Sequence, residues 1–382
     1  MASPPTVPDS CTQPAQWTFD PDTPPPPHGF AHVAEASFDL PVSSDVLFFE
    51  SRGTAALAHG SIEFTDTGDV GSDTAKVEIM AYFNDVDEFV ELTKVCLLQP
   101  EEGKNGIGIF APHHWAGHHH HRGIQYELKV HLPPAEDGSL RQLKTLNTNL
   151  PMFVHYAGAL SNSFKFDKVL FTTSNVPVHV QSLWSDILNV RTSNAPIEGS
   201  FNSSTYIELD TSNSPIRANV ALYNGQNVNS PVTGLQMRTS NSPIGANISL
   251  YSTLPSGTGG NFTARISTSN SPLSISYPYS PVDHRLHMHA RTSNGPAHVQ
   301  LHPTYEGTFR LISSGFLGRP TVHADPAVED PAGRGRTRSV DYRSAGGRVA
   351  EGIVRWLPSD RNETELGDVQ ISTSQLGLDL FL

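Results

Sequence analysis

Ser240-Asn241-Ser242-Pro243 is one of six copies of a short motif that decides the fold of this chain. The copies begin 19, 19, 28, 29 and 24 residues apart, all between residues 164 and 312. Self-similarity at such periods indicates a stacked-repeat architecture. The other copies are Ser174-Asn175-Val176-Pro177, Ser193-Asn194-Ala195-Pro196, Ser212-Asn213-Ser214-Pro215, Ser269-Asn270-Ser271-Pro272 and Ser293-Asn294-Gly295-Pro296.

Apolar residues alternate with polar ones on both sides of each motif. Leu235 and Met237 precede the fourth copy, and Ile244, Ala246 and Ile248 follow it. A period of two predicts strands with one apolar face. Strands that recur at the same place in each repeat pair in parallel, and their apolar faces form a column that no single repeat could bury. The pattern predicts an all-β fold, a parallel β-solenoid of the β-helix kind.

The motif has the chemistry of a corner between two strands. Asn tolerates left-handed backbone and bonds its own main chain, Ser does so more weakly, and Pro fits the first position of a strand. Identical Asn residues in register could also stack as amide ladders. We therefore interpret these Asn as structural corner residues rather than ligands: Asn175, Asn194, Asn213, Asn241, Asn270 and Asn294.

Composition divides the chain into five segments. Residues 1–29 contain nine prolines and predict a disordered, polyproline-like tail. Residues 30–145 are rich in strand patterns without the motif, and could form irregular first coils or a small β-sandwich that caps the repeats. Residues 146–318 are the predicted solenoid, 319–350 a Gly/Pro/Arg-rich loop, and 351–382 the closing strands.

Charge and cysteine content limit the possible partners and compartments. A net charge of −13 over 382 residues argues against nucleic acid or an anionic membrane surface as a partner. No apolar run is long enough to span a membrane, and residues 1–20 lack the apolar core of a signal peptide. Cys11 and Cys96 are too few for a disulfide framework, and we expect no bridge because Cys11 lies in the predicted tail. These features predict a cytoplasmic monomer by default, without cofactors or membrane insertion.

A histidine-rich tract lies in the N-terminal β-region. Imidazole suits zinc, copper and nickel, but an ordered site normally adds carboxylate or thiolate ligands and a second shell of hydrogen bonds. The neighbours here are Gly, Ala, Trp115 and Arg122. We interpret the tract as an exposed loop with adventitious metal affinity: His113, His114, His118, His119, His120 and His121.

An arginine cluster lies in the predicted loop near the C-terminus. A solvated loop accounts for it, and binding of phosphate or another polyanion is the alternative, although no aromatic platform accompanies the charges. The residues are Arg334, Arg336, Arg338, Arg343 and Arg348.

Acidic residues are the test for catalysis on a solenoid. Polysaccharide lyases and hydrolases need clustered carboxylates, or an Arg or Lys base beside calcium ligands. In the repeats, Glu208 and Asp210 share the outward face of one strand, and Glu198 lies one coil away. A charged strand surface explains the pair equally well. We therefore predict that the chain is not an enzyme, with a polysaccharide-active enzyme as the alternative.

The longer repeats insert extra residues at one position. These insertions lie between Leu222 and Leu235, Leu250 and Ala264, and Tyr277 and Met288. They predict three loops on one edge, and loops on a rigid scaffold commonly carry binding residues. The pattern predicts a scaffold or adhesin-like protein that binds a glycan or protein partner through this edge. The candidate residues are Tyr223, Asn227, Tyr251, Tyr277 and Tyr279.

Three features together resemble a fungal family of unknown function: Phe38-Asp39-Leu40-Pro41, the stretch Gly106-Ile107-Gly108-Ile109-Phe110 after Val95-Cys96, and the serial corners. The repeat half is similar to bacterial "putative adhesin" β-solenoids. The resemblance covers residues 37–382. It implies the fold and surface or adhesive work, and it implies no catalytic residues.

Overall fold

A computed structural model describes residues 5–19, 29–113, 123–225, 231–315, 318–325, 327–359 and 361–382. The structure is 57% strand and 4% helix, so the predicted all-β class is confirmed. The chain divides into two compact units. Unit 1 comprises Met1–Ser185 with Val190–Thr192, and unit 2 comprises Asp186–Asn189 with Ser193–Leu382.

The described residues of unit 1 form two sheets, a short α-helix and a 3-10 helix. The α-helix, α1, spans Val86–Leu92 and is capped by the Asp85 side chain, and the 3-10 helix spans Leu160–Asn162. The strands are β1 (Cys11–Pro14), β2 (His32–Pro41), β3 (Val46–Arg52), β4 (His59–Thr65), β5 (Thr74–Phe83), β6 (Lys94–Glu101), β7 (Lys104–Phe110), β8 (Gln125–His131), β9 (Arg141–Asn149), β10 (Phe153–Ala159), β11 (Phe164–Thr172) and β12 (Val178–Arg191), which extends into unit 2.

Both sheets of unit 1 change from antiparallel to parallel pairing. Sheet A has the order β1-β6-β7-β3-β9-β11, and sheet B has the order β2-β5-β8-β4-β10-β12. The first two pairings of each sheet are antiparallel and the remaining ones are parallel. The ring of Phe64 in sheet B packs against two rings of sheet A, with centroid distances of 5.6 Å to both Phe49 and Phe171. The apolar sides of the two sheets therefore form one core.

The N-terminal segment differs from the predicted disordered tail. Within residues 1–29, the described part contains β1, which pairs with β6, and Cys11 forms a disulfide with Cys96. Trp17 packs edge-on against Phe89 at 5.0 Å. The expectations of a wholly disordered tail and of unbridged cysteines were therefore wrong for this part. The segment contains few apolar residues, so its own sequence did not predict that it packs against β6. The residues that it contacts lie about 80 positions later in the sequence.

Unit 2 holds the later repeats and the C-terminal strands. Its strands are β13 (Ile197–Ser203), β14 (Tyr206–Asp210), β15 (Ile216–Asn224), β16 (Thr233–Arg238), β17 (Ile244–Ser252), β18 (Asn261–Ser267), β19 (Leu273–Ser276), β20 (Arg285–Arg291), β21 (Ala297–Gln300), β22 (Gly307–Ser313), β23 (Pro320–His323), β24 (Thr337–Gly346), β25 (Val349–Leu357), β26 (Gly367–Thr373) and β27 (Leu378–Phe381). A 3-10 helix spans Glu363–Glu365.

Equivalent strands of successive repeats pair in parallel within unit 2. Sheet C has the order β14-β16-β18-β20-β26-β22-β25-β24, and sheet D has the order β13-β15-β17-β19-β21-β27-β23. In sheet D, Ala218 is opposite Ala246, and Tyr223 is opposite Tyr251. The register follows the repeat because a slip of one residue would move the buried set of each strand to the outward side.

The C-terminal strands do not lie last in the sheets. β26 pairs in parallel with both β20 and β22, and β27 pairs with both β21 and β23. The prediction that residues 351–382 form the closing strands was therefore wrong for β26 and β27. Residues 319–350 were predicted to be a loop, but they contain β23 and β24, and β24 forms an antiparallel pair with β25 at the edge of sheet C. The alternation of residues within a strand does not show which distant strands it will pair with, so the sequence did not predict that β26 lies between β20 and β22.

Candidate ligand-binding face

The corner motifs of unit 2 form a ladder of side-chain amides. From Asn213 onward, each Asn donates from Nδ2 to Oδ1 of the Asn one repeat earlier, over distances of 2.6 to 2.7 Å. The ladder contains Asn194, Asn213, Asn241, Asn270 and Asn294. Asn175, in unit 1, donates to Sδ of Met152 at 3.5 Å. Because the side-chain amides bond to one another, the ladder holds successive corners in register.

A buried threonine precedes each of these corners. Oγ1 of Thr211 donates to the carbonyl of Ala195 at 3.2 Å, and Oγ1 of Thr239 donates to that of Ser214 at 3.2 Å. Thr373 in β26 donates to the carbonyl of Gly295 at 3.0 Å and so takes the same role. These threonines satisfy carbonyls that burial would otherwise leave unpaired. Thus the corners hold the scaffold together rather than offering free groups to a ligand.

The outward side of sheet D carries a shallow trough. Two depressions of about 490 and 480 Å³ share Ser200, Asn219 and Asn247 in their lining, and therefore adjoin. Small outward side chains on neighbouring strands leave the space. We define the trough by Ser200, Asn219, Gly245, Asn247, Ser249 and Ser276.

The floor of the trough is a second amide ladder. Nδ2 of Asn247 donates to Oδ1 of Asn219 at 2.9 Å, and Oγ of Ser276 donates to Oδ1 of Asn247 at 2.7 Å. Arg217 also lines the trough, where its guanidinium forms an ion pair with Glu198. The ion pair carries no net charge, so the floor presents hydrogen-bonding groups without an excess of either charge.

Two ridges border the trough. On one side lie Pro215, Pro243 and Pro272, which directly precede β15, β17 and β19. On the other side lie Tyr223, Tyr251 and Tyr279. The depression that extends toward the tyrosines is lined by Ser249, Tyr251 and Pro278. The trough therefore has one apolar wall and one aromatic wall.

The three tyrosines stack face to face. Ring centroids are 5.0 Å apart between Tyr223 and Tyr251, and 4.8 Å apart between Tyr251 and Tyr279, with interplanar angles of 15° and 24°. His302 follows at 6.3 Å in a tilted arrangement. Burial and the neighbouring Tyr251 raise the pKa of Tyr223, so its hydroxyl stays protonated at neutral pH. Because the faces cover one another, the stack presents ring edges and hydroxyls.

The structure modifies the predicted loop-edge site. Tyr223 and Tyr251 lie within strands, on the outward side of sheet D, and Tyr279 follows β19. Tyr277 is buried with 3% of its surface exposed, so its assignment as a binding residue was wrong. The alternation of β19 continues through Tyr277 and points its side chain inward. Asn227 lies outside the described residues.

The histidine tract stays a prediction. His113 is exposed, and the other five histidines lie outside the described residues. Within the described ranges, no three His, Cys, Asp or Glu side chains converge in a way that could hold a metal ion.

The candidate carboxylates of the repeats do not converge. Glu208 accepts hydrogen bonds from Asn189 at 2.8 Å and Gln236 at 3.2 Å, and Asp210 pairs with Arg238 at 2.8 Å. Both belong to sheet C, whereas Glu198 lies in sheet D. These contacts tie neighbouring strands together.

The arginine cluster is partly buried instead of forming a solvated loop. Arg336 is 7% exposed and pairs with Asp330 at 3.1 Å, and this contact holds the pKa of Asp330 well below its usual range. Arg338 lies over the ring of Trp356 at 5.8 Å. Arg334 bonds Asp283 at 3.1 Å. The expectation of a solvated loop was therefore wrong for Arg336, because folding brings acidic and aromatic partners to it.

Sequence reasoning missed Asn219, Asn247 and Ser276, although a signal was present. Residues 216–223 and 244–251 share the pattern Ile-x-Ala-Asn-x-x-Leu-Tyr. The outward parity of Asn and Tyr in both copies predicts two columns on one face. The pattern weakens in the next repeat, which begins at Leu273: Ser276 replaces Asn, and Tyr279 comes one residue earlier than the tyrosine of the other two copies.

Comparisons with known proteins add little to this geometry. No family model and no curated protein matches the chain, so the fungal resemblance stays a prediction. Three solved structures are similar at TM-scores of 0.18, 0.22 and 0.21 and identities of 7%, 9% and 12%. They are a "putative cell adhesion protein" from Clostridium sporogenes (91% of this chain, 98% of that one), a "putative adhesin" from Bacteroides fragilis (91% and 97%) and another from Parabacteroides merdae (70% and 96%). Such TM-scores do not establish a shared fold, and no function follows from them. Of the helices in the described ranges, none is long and apolar enough to cross a bilayer.

Proposed function

We propose that this chain is a non-enzymatic, adhesin-like binding protein that holds an extended partner in the trough of sheet D. The observation that carries the proposal is the trough itself, with its amide floor between a proline ridge and a tyrosine stack. Concave surfaces with a few convergent polar groups and aromatic walls are typical ligand sites. The partner is a glycan or a protein segment.

A β-solenoid is the architecture that supports this proposal. Within unit 2, each repeat contributes one strand to sheet C and one to sheet D, with the Asn corner between the two strands of a coil. Successive coils then place equivalent side chains in columns, as repeat proteins do when they build extended binding surfaces. We propose that these strands wind as coils around the core formed by the two apolar sides.

Binding without catalysis fits the chemistry of the described surface. Glycoside hydrolysis needs two carboxyl groups that flank one bond. Glu208 and Asp210 are engaged in contacts across sheet C, and Glu198 pairs with Arg217, which lines the trough. A binding protein therefore accounts for the trough better than a polysaccharide-active enzyme does.

The disulfide favours a compartment other than the default of the sequence analysis. Disulfides form and persist in oxidising environments and are rare in cytosolic proteins. The Cys11–Cys96 bridge therefore supports residence outside the cytosol, where an adhesin-like protein would meet its partner.

Filling the trough tests this proposal. A Cβ at Gly245 would meet no atom within 4 Å, so Gly245→Trp adds bulk to the trough without strain. Arg265→Trp places the same side chain on the exposed side of sheet C and is the matched control. The probes are cellohexaose, chitohexaose, maltohexaose, polygalacturonate and gelatin, measured by biolayer interferometry on the immobilised chain.

We expect at least one probe to bind the wild type and the Arg265→Trp variant equally, and to bind Gly245→Trp roughly tenfold or more weakly. Replacing Tyr223, Tyr251 and Tyr279 together by Ser should also abolish binding. The proposal fails if no probe binds, or if Gly245→Trp binds every probe as the wild type does.

A further inference from the structure

We infer that the ligand of the trough is a neutral, extended, β-1,4-linked polysaccharide that lies across the strands of sheet D, with one sugar per coil. This inference rests on the proposed function and specifies its ligand. Three properties of the trough carry it: the direction and spacing of its repeat, the absence of net charge in its lining, and the edge-on presentation of its tyrosines.

The repeat of the trough runs across the strands. Neighbouring strands of a sheet lie about 4.8 Å apart, and the tyrosine centroids follow at 5.0 and 4.8 Å. A β-1,4-linked hexose chain is straight and advances by nearly this length per sugar. Each sugar would therefore lie over one coil, beside one amide or hydroxyl of the floor and one tyrosine. Successive sugars are related by half a turn, so opposite edges of the sugar ring face the tyrosines on alternate coils. An α-1,4-linked chain coils and cannot stay in register with a straight row.

An extended peptide does not match this spacing. Its residues advance by about 3.3 Å, and its side chains alternate, so the repeat on one side is about 6.6 Å. Such a chain would lose register with the coils after one or two residues. The geometry therefore favours a glycan over a protein segment.

The lining of the trough selects a neutral glycan. Asn219, Asn247 and Ser276 are uncharged, and the Arg217–Glu198 ion pair leaves no excess charge to attract an anionic polymer. The chain as a whole has a net charge of −13, which repels a polyuronate. A row of hydroxyl groups on a neutral sugar chain can donate to and accept from amides and serines alike.

The tyrosines contribute hydroxyls rather than ring faces. A sugar stacks on an aromatic side chain only where the ring face is open, and here Tyr251 has a tyrosine on each face. What remains is a row of phenol edges at the spacing of the coils.

Tyrosine-to-phenylalanine substitution separates hydroxyls from rings. In the triple variant Tyr223→Phe/Tyr251→Phe/Tyr279→Phe the stack is retained and three hydroxyls are lost. We expect cellohexaose to bind this variant roughly tenfold to a hundredfold more weakly than the wild type, as the loss of three hydrogen bonds implies. Tyr277→Phe removes a buried hydroxyl from the same repeat and should leave binding unchanged. Unweakened binding by the triple variant would overturn the role of the hydroxyls.

Probe length and linkage test the ligand class. Isothermal titration calorimetry with cellotriose and cellohexaose should show tighter binding of the longer chain, because the trough spans four strands, from β13 to β19. Chitohexaose should also bind, and maltohexaose and polygalacturonate should not. The protein is best produced in a host without N-glycosylation, since Asn247-Ile248-Ser249 is a sequon within the trough.

The outcomes distinguish this inference from the proposed function. Binding of cellohexaose or chitohexaose that Gly245→Trp weakens supports both. Trough-dependent binding of gelatin, polygalacturonate or maltohexaose alone overturns the inference and leaves the proposed function standing. Absence of trough-dependent binding by every probe overturns both.

Discussion

Unit 1 and unit 2 each have a depression on the outward side of a sheet, but the two differ in charge. The depression in unit 1, of about 590 Å³, is lined by Glu35, Lys76, Glu78 and Lys129, whereas the trough in unit 2 has an amide floor. In unit 1, Glu78 lies opposite Lys129 on the neighbouring antiparallel strand and pairs with Lys76 at 2.7 Å. Unrepeated strands can thus alternate charges across a sheet.

Strands that repeat the same residues cannot alternate positive and negative charges across the sheet. A column of like charges about 4.8 Å apart would repel, whereas a column of amides forms hydrogen bonds. The exceptions in unit 2 alternate in sign: Arg217 pairs with Glu198, and Arg238 pairs with Asp210. Repetition therefore favours a neutral, hydrogen-bonding face, and this is the face on which the proposed ligand would lie.

The largest effect should come from the covalent contact of unit 1. The Cys11–Cys96 disulfide closes a loop of 85 residues, and the variant Cys11→Ser/Cys96→Ser should lower the free energy of unfolding by about 4 kcal/mol. Hydrogen exchange should show faster exchange in β1 and β6 and unchanged exchange in unit 2. Reduction of the wild type is the control. If β6 exchanged equally fast in the oxidised wild type and in the variant, the disulfide would not be what holds β1 and β6 at the edge of sheet A.

Acid should weaken both units through one buried histidine each. Burial lowers the pKa of His155 and of His284 to about 4. An unfolded histidine has a pKa near 6.5, so the unfolded chain binds more protons between pH 6.5 and pH 4. Stability is therefore complete above pH 6.5 and falls as the pH drops toward 4, by roughly 3 kcal/mol per histidine.

Denaturant unfolding at several pH values checks this prediction. His155→Gln and His284→Gln should each flatten the pH dependence below 6.5, even if each lowers stability at pH 8. A slope that persists in the double variant would assign the acid sensitivity to other groups.

The threonine contacts of unit 2 should have a smaller effect. Oγ1 of buried Thr239 donates to two carbonyls, at 3.3 and 3.2 Å. Thr239→Val keeps the shape and removes the donor, so the free energy of unfolding should fall by about 1–2 kcal/mol. Thr321→Val, on an exposed strand position, should change it little. Equal midpoints in urea for the two variants would mean that the corner carbonyls find other partners.

The smallest effect concerns a single buried hydroxyl. The hydroxyl of Tyr277 is buried, and among the described residues it has no hydrogen-bond partner. Tyr277→Phe should therefore leave stability unchanged or raise it by up to about 1 kcal/mol. A thermal melt compares it with Tyr251→Phe, at a residue that lines the trough. Destabilisation by Tyr277→Phe would indicate a partner such as a buried water.

The sequence by itself determined the all-β class and the parallel pairing of the repeats. The spacing of the Ser-Asn-x-Pro corners and the two-residue alternation specify both, because equivalent apolar faces can be buried only against one another. The alternation beside Asn219 and Asn247 also contained the columns of the trough.

Only the tertiary structure decided which distant segments meet. β26 lies between β20 and β22, and β1 pairs with β6, which brings Cys11 to Cys96. These long-range pairings supply hydrogen-bond partners for backbone groups that have none within their own segment. The stacking of Tyr223, Tyr251 and Tyr279, and the burial of Tyr277 beside them, likewise depend on strand register and on where β19 ends. Periodicity identifies the faces of a strand, but packing decides which residues at its end remain exposed.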